Sequence, residues 1–127
     1  MAAPWAFRIE SVERGVVRAR ATPSAQHENP FGVVQGGFAA TVLDIALGLV
    51  TITLMDDPST TMASTTDLIV RYFAPVLAST GDLQIRAQIV NRQGRTILAE
   101  AFLEDRDGTK YAYAQSNCVV ANRLTRG

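Results

Sequence analysis

Asn29-Pro30-Phe31-Gly32-Val33-Val34-Gln35-Gly36-Gly37 runs directly into FAATVLDIALGLVTITLM at residues 38–55, an apolar stretch whose one formal charge is Asp44. A double glycine opening a buried helix exposes backbone N–H groups able to receive negative charge. A carboxylate two turns further on is a candidate acid, base or nucleophile. Periodicity alone leaves an apolar run open between helix and buried strands. Its length, alanines and leucines favour a helix from Phe38, Val50-Thr51-Ile52-Thr53 weakens that reading towards the end, and Asp56-Asp57-Pro58 supplies a stop.

Outward from this segment the rhythm is two. Val17, Ala19 and Ala21 alternate with Arg18 and Arg20, as in a half-buried strand that forms part of an initial hairpin. Pro23 to Pro30 reads as a polar loop. Ser64 to Ala74 reads as a strand closed by Pro75, with Thr65 and Asp67 on one face and Thr66 on the other. Leu83, Ile85, Ala87 and Ile89 alternate with polar residues over 82–90. A hairpin turn at Asn91-Arg92-Gln93-Gly94 leads back through Ile97, Ala99, Ala101 and Leu103, and Asp107-Gly108 turns into a last strand over 110–120. Strand, helix and a meander of four strands make an α+β domain in which an antiparallel sheet covers one apolar helix.

The 127 residues suffice for one domain, read as 1–127, and 47% hydrophobic with 19% charged residues matches a globular protein. Twelve basic residues balance twelve acidic ones, so nothing indicates a nucleic-acid partner. One cysteine, Cys118, excludes an intrachain disulfide. The N-terminal residues 1–15 meet charge too early for a signal peptide. Asp44 and the lack of basic flanks argue against a membrane span. The expected location is cytoplasmic. A helix apolar all round needs partners on several sides, so a homo-oligomer is expected.

The spacing Asn29-x-x-Gly32-x-x-Gln35-Gly36-Gly37-x6-Asp44 resembles the signature of hotdog-fold acyl-CoA thioesterases related to the phenylacetate-pathway enzyme (PaaI-like). In that fold an antiparallel sheet wraps one long central helix. The family pattern is Asn-x-x-Gly-x-x-His-Gly-Gly with a catalytic Asp seven residues after the second glycine. Gln35 stands where the family usually has His; a hydrogen-bonding role survives that change and a titrating one does not. Arg71-Tyr72-Phe73-Ala74-Pro75 and Gly94-Arg95-Thr96 look like later family segments, extending the resemblance over roughly residues 25–120.

The resemblance implies hydrolysis of an acyl-CoA thioester, with coenzyme A present only as part of the substrate and no separate cofactor. The Gly36 N–H would polarise the carbonyl, Asn29 would add a donor or orient water, and Asp44 would act as general base or nucleophile. Thr65 falls where some members place a water-positioning hydroxyl. Gln35 and Gly37, with Arg92 and Arg95 for the phosphates, complete the substrate-binding set. The family further implies composite sites in a homodimer or a dimer-of-dimers homotetramer, the Asp coming from the neighbouring subunit. Two other readings stand beside it: a hotdog dehydratase or hydratase, suggested by His27-x-x-Pro30-x-Gly32, and a non-catalytic acyl-CoA-binding domain. A single histidine and a single cysteine make a zinc site or a Cys–His dyad poor candidates, and Asp105-x-Asp107-Gly108 reads as a turn lacking the later calcium ligand.

Overall fold

The structure, a computed structural model, describes residues 7–122. Residues 1–6, which open the stretch read above for a signal peptide, and 123–127 lie outside the described residues.

Strands β1 (Phe7–Glu13) and β2 (Val16–Ala21) form the initial hairpin. Helix α1 (Gly36–Ile52) follows, then β3 (Thr61–Tyr72), β4 (Leu83–Gln93), β5 (Thr96–Glu104) and β6 (Lys110–Asn122). All pairings are antiparallel, in the order β1-β2-β4-β5-β6-β3. The hotdog arrangement is therefore present: one helix against a six-stranded antiparallel sheet.

Three details differ from the sequence reading. The last four strands are not one meander, because β3 pairs with β6 at the sheet edge while β2 takes the place beside β4. Ten residues separate β3 from β4, too many for a tight hairpin. The β4–β5 turn is Gly94-Arg95, not 91–94, since strand pairing continues to Gln93↔Thr96; Gly94 supplies the positive φ of 58° that this turn requires. The third detail is a bulge in β3. Thr65 pairs with Cys118 and Asp67 with Asn117, which leaves Thr66 as an extra residue. Thr65 and Asp67 therefore lie on opposite faces, Thr65 towards Cys118 and Asp67 bonded to the Asn117 side chain.

Along α1, Phe38, Val42, Leu43, Ala46, Leu47 and Val50 are buried against the sheet. Facing them are Leu83, Ile85 and Leu103 among the alanines 87, 99, 101, 112 and 114, whose small side chains bring the helix close. Beyond Ile52 the chain tightens, with Leu54 N–H on Thr51 O and Met55 N–H on Ile52 O. The predicted polar loop holds a 3-10 turn at Ala25–His27. The opposite side of α1 is open: Gly37, Asp44 and Ile52 are exposed, Thr41 and Gly48 partly so.

Candidate active site

The loop before α1 is fixed by its own backbone. Asn29 N–H donates to Val33 O (2.7 Å) and Gly32 N–H to Asn29 O (3.0 Å), a turn that takes Gly32 to φ 80°. Gln35 N–H reaches His27 O at 2.8 Å, and Val34 N–H reaches Val76 O at 2.8 Å. The loop is thereby clamped between the 3-10 turn and the segment after β3. Asn29 Oδ1 accepts the N–H groups of Phe31 (2.9 Å) and Val33 (3.2 Å), the Asx arrangement that suits a residue before proline. Its Nδ2 has no bonded acceptor among the described residues and remains available.

Gln35, at φ −59° and ψ 140°, precedes the helix without a side-chain cap. Phe38 N–H returns to Gln35 O at 3.0 Å, so the N–H groups of Gly36 and Gly37 are left without an acceptor among the described residues. They sit at the positive end of a 17-residue helix. A cavity of about 390 Å³ opens here, walled by Asn29, Val33, Val34, Gln35, Gly36 and Ala39 on one side. Tyr72, Phe73, Ala74, Pro75, Val76 and Tyr111 form the other side. An apolar chamber with the Gly36 N–H and the Asn29 side chain in its wall can hold a hydrocarbon chain and stabilise an oxyanion. Burial, then a hydrogen bond to Asp105 at 3.0 Å, raises the Tyr111 hydroxyl above its ordinary pKa, so it stays neutral.

Gln35 also lines a second cavity, of about 360 Å³, with Gln26, His27, Gly37, Phe38 and Thr41. The side chain where the family carries His therefore stands on the ridge between two chambers. His27 is buried, its Nδ1 accepting the Ser24 N–H at 3.0 Å and its ring 4.4 Å from that of Phe38.

Asp44 is not brought to this end. It is exposed on the open side of α1, where the sequence reading expected a buried carboxylate, and it lines neither chamber. The reason is helical phase: inward positions are Val42, Leu43, Ala46 and Leu47, and Asp44 falls opposite them. Thr65 lies further along the same open side, in a groove of about 210 Å³ with Gly48, Ile52 and Cys118. Arg92 and Arg95 are far from Gly36, at the β4–β5 hairpin tip. Arg92 donates to Leu54 O at 2.9 Å and Gly94 O at 3.1 Å, tying the hairpin to the chain just past α1. Cys118 contacts Thr51 and Thr65, at the opposite end of α1 from His27. Among the described residues no cluster of three or more His, Cys, Asp or Glu side chains could hold a metal. No helix among them is long and apolar enough to cross a membrane.

Tyr72 was not assigned a role from sequence. Its signal was the segment 71–75, whose family likeness carries no statement of which side chain meets the helix.

The model of the thioesterase superfamily matches residues 31–112, more than half of the chain. Among solved structures, the chain is similar to a phenylacetic acid degradation-related protein from Ralstonia eutropha JMP134, at 25% identity and TM-score 0.80 over 91% of this chain and 85% of that one. A Streptococcus mutans protein bound to acetyl CoA is similar at 22% identity and TM-score 0.81, covering 94% and 91%. A Haemophilus influenzae thioesterase is similar at 16% identity and TM-score 0.84, covering 96% and 82%. No curated protein matches the chain in sequence.

Proposed function

The chain belongs to the thioesterase superfamily, and from that premise we propose that it hydrolyses an acyl-CoA thioester to the free acid and coenzyme A. The observation that carries this reading is the Gly36 N–H, without an acceptor among the described residues, in the wall of an apolar cavity. That the Streptococcus mutans protein of the same fold binds acetyl CoA supports a coenzyme A thioester as substrate.

In this proposal the acyl chain occupies the cavity between α1 and residues 72–76. The thioester carbonyl points at the Gly36 N–H, with the Asn29 Nδ2 as a second donor. Asp44 takes a proton from water, the hydroxide adds to the carbonyl carbon, and the tetrahedral oxyanion collapses as the C–S bond breaks. The thiolate then takes up a proton. The alternative role for Asp44, direct attack to give an anhydride that water opens, uses the same geometry. Gln35, on the ridge between the chambers, binds the thioester as a neutral donor and acceptor.

Asp44 lies eight helical steps beyond Gly36, about 12 Å along the axis, too far for one carbonyl to meet both. The reading therefore takes Asp44 from a second copy of the chain, as a homodimer or a dimer-of-dimers tetramer. Arg92 and Arg95 are retained as candidates for the coenzyme A phosphates.

A thiol-release screen over short, medium, long and aromatic acyl-CoAs tests the activity, with Asp44→Asn beside the parent. Turnover by the variant is expected to fall about a hundredfold or more, with fold and oligomer intact, since Asp44 is exposed in its own protomer and asparagine has nearly the same shape. Hydrolysis at the parental rate would remove Asp44 from the mechanism. Enoyl product without free thiol would make the protein a dehydratase, and tight binding with thiol release no faster than in buffer would make it a binding domain.

A further inference from the structure

We propose that Tyr72 is the positioning residue of this site, a hydroxyl clamp from the sheet edge onto the first turn of α1. The inference rests on the hydrolase reading above for its effect on rate, and on geometry alone for the clamp.

Tyr72 ends β3, and Phe73 N–H, on Tyr111 O at 2.9 Å, fixes the chain just after it. Tyr72 is 54% exposed in the protomer, yet its hydroxyl is held by the protein. It donates to the Gly36 carbonyl at 2.8 Å. That carbonyl shares its peptide plane with the Gly37 N–H, one of the two donors left without an acceptor. A hydrogen bond on the oxygen polarises that amide and fixes its plane, which strengthens the Gly37 N–H and holds in place the first turn that carries the Gly36 N–H proposed for the carbonyl.

The same contact explains the glycine at 36. Its φ is not in the left-handed region, so backbone strain does not demand glycine there. A Cβ at 36 would stand 3.2 Å from both Cζ and Oη of Tyr72, whereas one at 37 would meet nothing within 4 Å. Gly36 is the space into which the tyrosine fits, and Tyr72 with Gly36 and Asn29 lines the cavity proposed for the acyl chain. Donating its proton to Gly36, the hydroxyl can only accept from a ligand there.

Tyr72→Phe keeps the ring and removes the clamp. In the unliganded protein the Gly37 amide resonance is expected to shift, since its peptide loses a carbonyl hydrogen bond. In thiol-release kinetics kcat is expected to fall about fivefold, the scale of one net hydrogen bond, with KM within about twofold. An unmoved Gly37 amide, or an unchanged kcat beside a lowered melting temperature, would reduce Tyr72 to a structural wall and overturn the proposal. A parent that releases no thiol would fail the hydrolase reading. There the Gly37 amide decides, a moved signal upholding the clamp and an unmoved one overturning it.

Discussion

At position 36 alanine and proline place a Cβ in the same spot, beside the Tyr72 ring, but only proline also removes the N–H. Proline is tolerated at a first helical position, and Gln35 at ψ 140° already has the backbone that a following proline requires. The pair therefore separates two roles that a single substitution would confuse. Gly36→Ala should cost several-fold in kcat by displacing the tyrosine. Its effect should not add to that of Tyr72→Phe, since both break one bond. Gly36→Pro should fall a further hundredfold to about a thousandfold, the usual loss of one oxyanion donor. The ratio of the two kcat values, from thiol release on well-folded protein, measures the N–H itself. Equal rates for the two variants would remove the Gly36 N–H from the mechanism.

The strands show what a sequence can disclose about elements. Alternation located β2, β4, β5 and β6 because each has one buried face, and a period of two is what such a face imposes. Length and composition located α1, and helix phase then put Asp44 on the open side, which the all-round apolarity of the run concealed. Pairing was less legible. Nothing local to Thr65, Thr66 or Asp67 announces the bulge, which exists because β3 must match β6 on both sides of it. That Gly36 opens the helix was legible, but its tyrosine partner lies 36 residues away and reflects tertiary packing alone. The inner face of β6 carries a further consequence. Ser116, fully buried in the row Ala112, Ala114, Ser116, Cys118, has a hydroxyl without a hydrogen-bond partner among the described residues. Burying an unpaired hydroxyl costs free energy that alanine does not incur. Ser116→Ala should thus stabilise the fold by about 1 kcal/mol, seen as a melting temperature higher by about 3 °C. A lower melting temperature would mean the hydroxyl is satisfied in solution.

For the molecule as a whole, the open side of α1 and the exposed β3 edge are continuous with the proposed chemistry. Gly37, Thr41, Asp44, Gly48 and Ile52 form one stripe, and Leu68, Ile69, Tyr72 and Phe73 are exposed along and just beyond β3. In the proposed dimer a second copy of the chain would cover this side, with the two-fold axis placed so that each Gly36 end meets the other copy's Asp44 region. A composite site makes a prediction that a site within one protomer does not. Gly36→Pro lacks only the donor half, and Asp44→Asn lacks only the carboxylate half. Unfolded together and refolded as a mixture, half of the resulting dimers should be hybrids. Each hybrid holds one site with both defects and one site with neither, so a random mixture should recover about a quarter of parental activity. Each variant refolded alone should stay at about a hundredth of parental activity or less. If donor and carboxylate served the same protomer's site, every site in the mixture would carry one defect and no activity would return. Thiol release from the mixture, read against both single refoldings, distinguishes the two architectures.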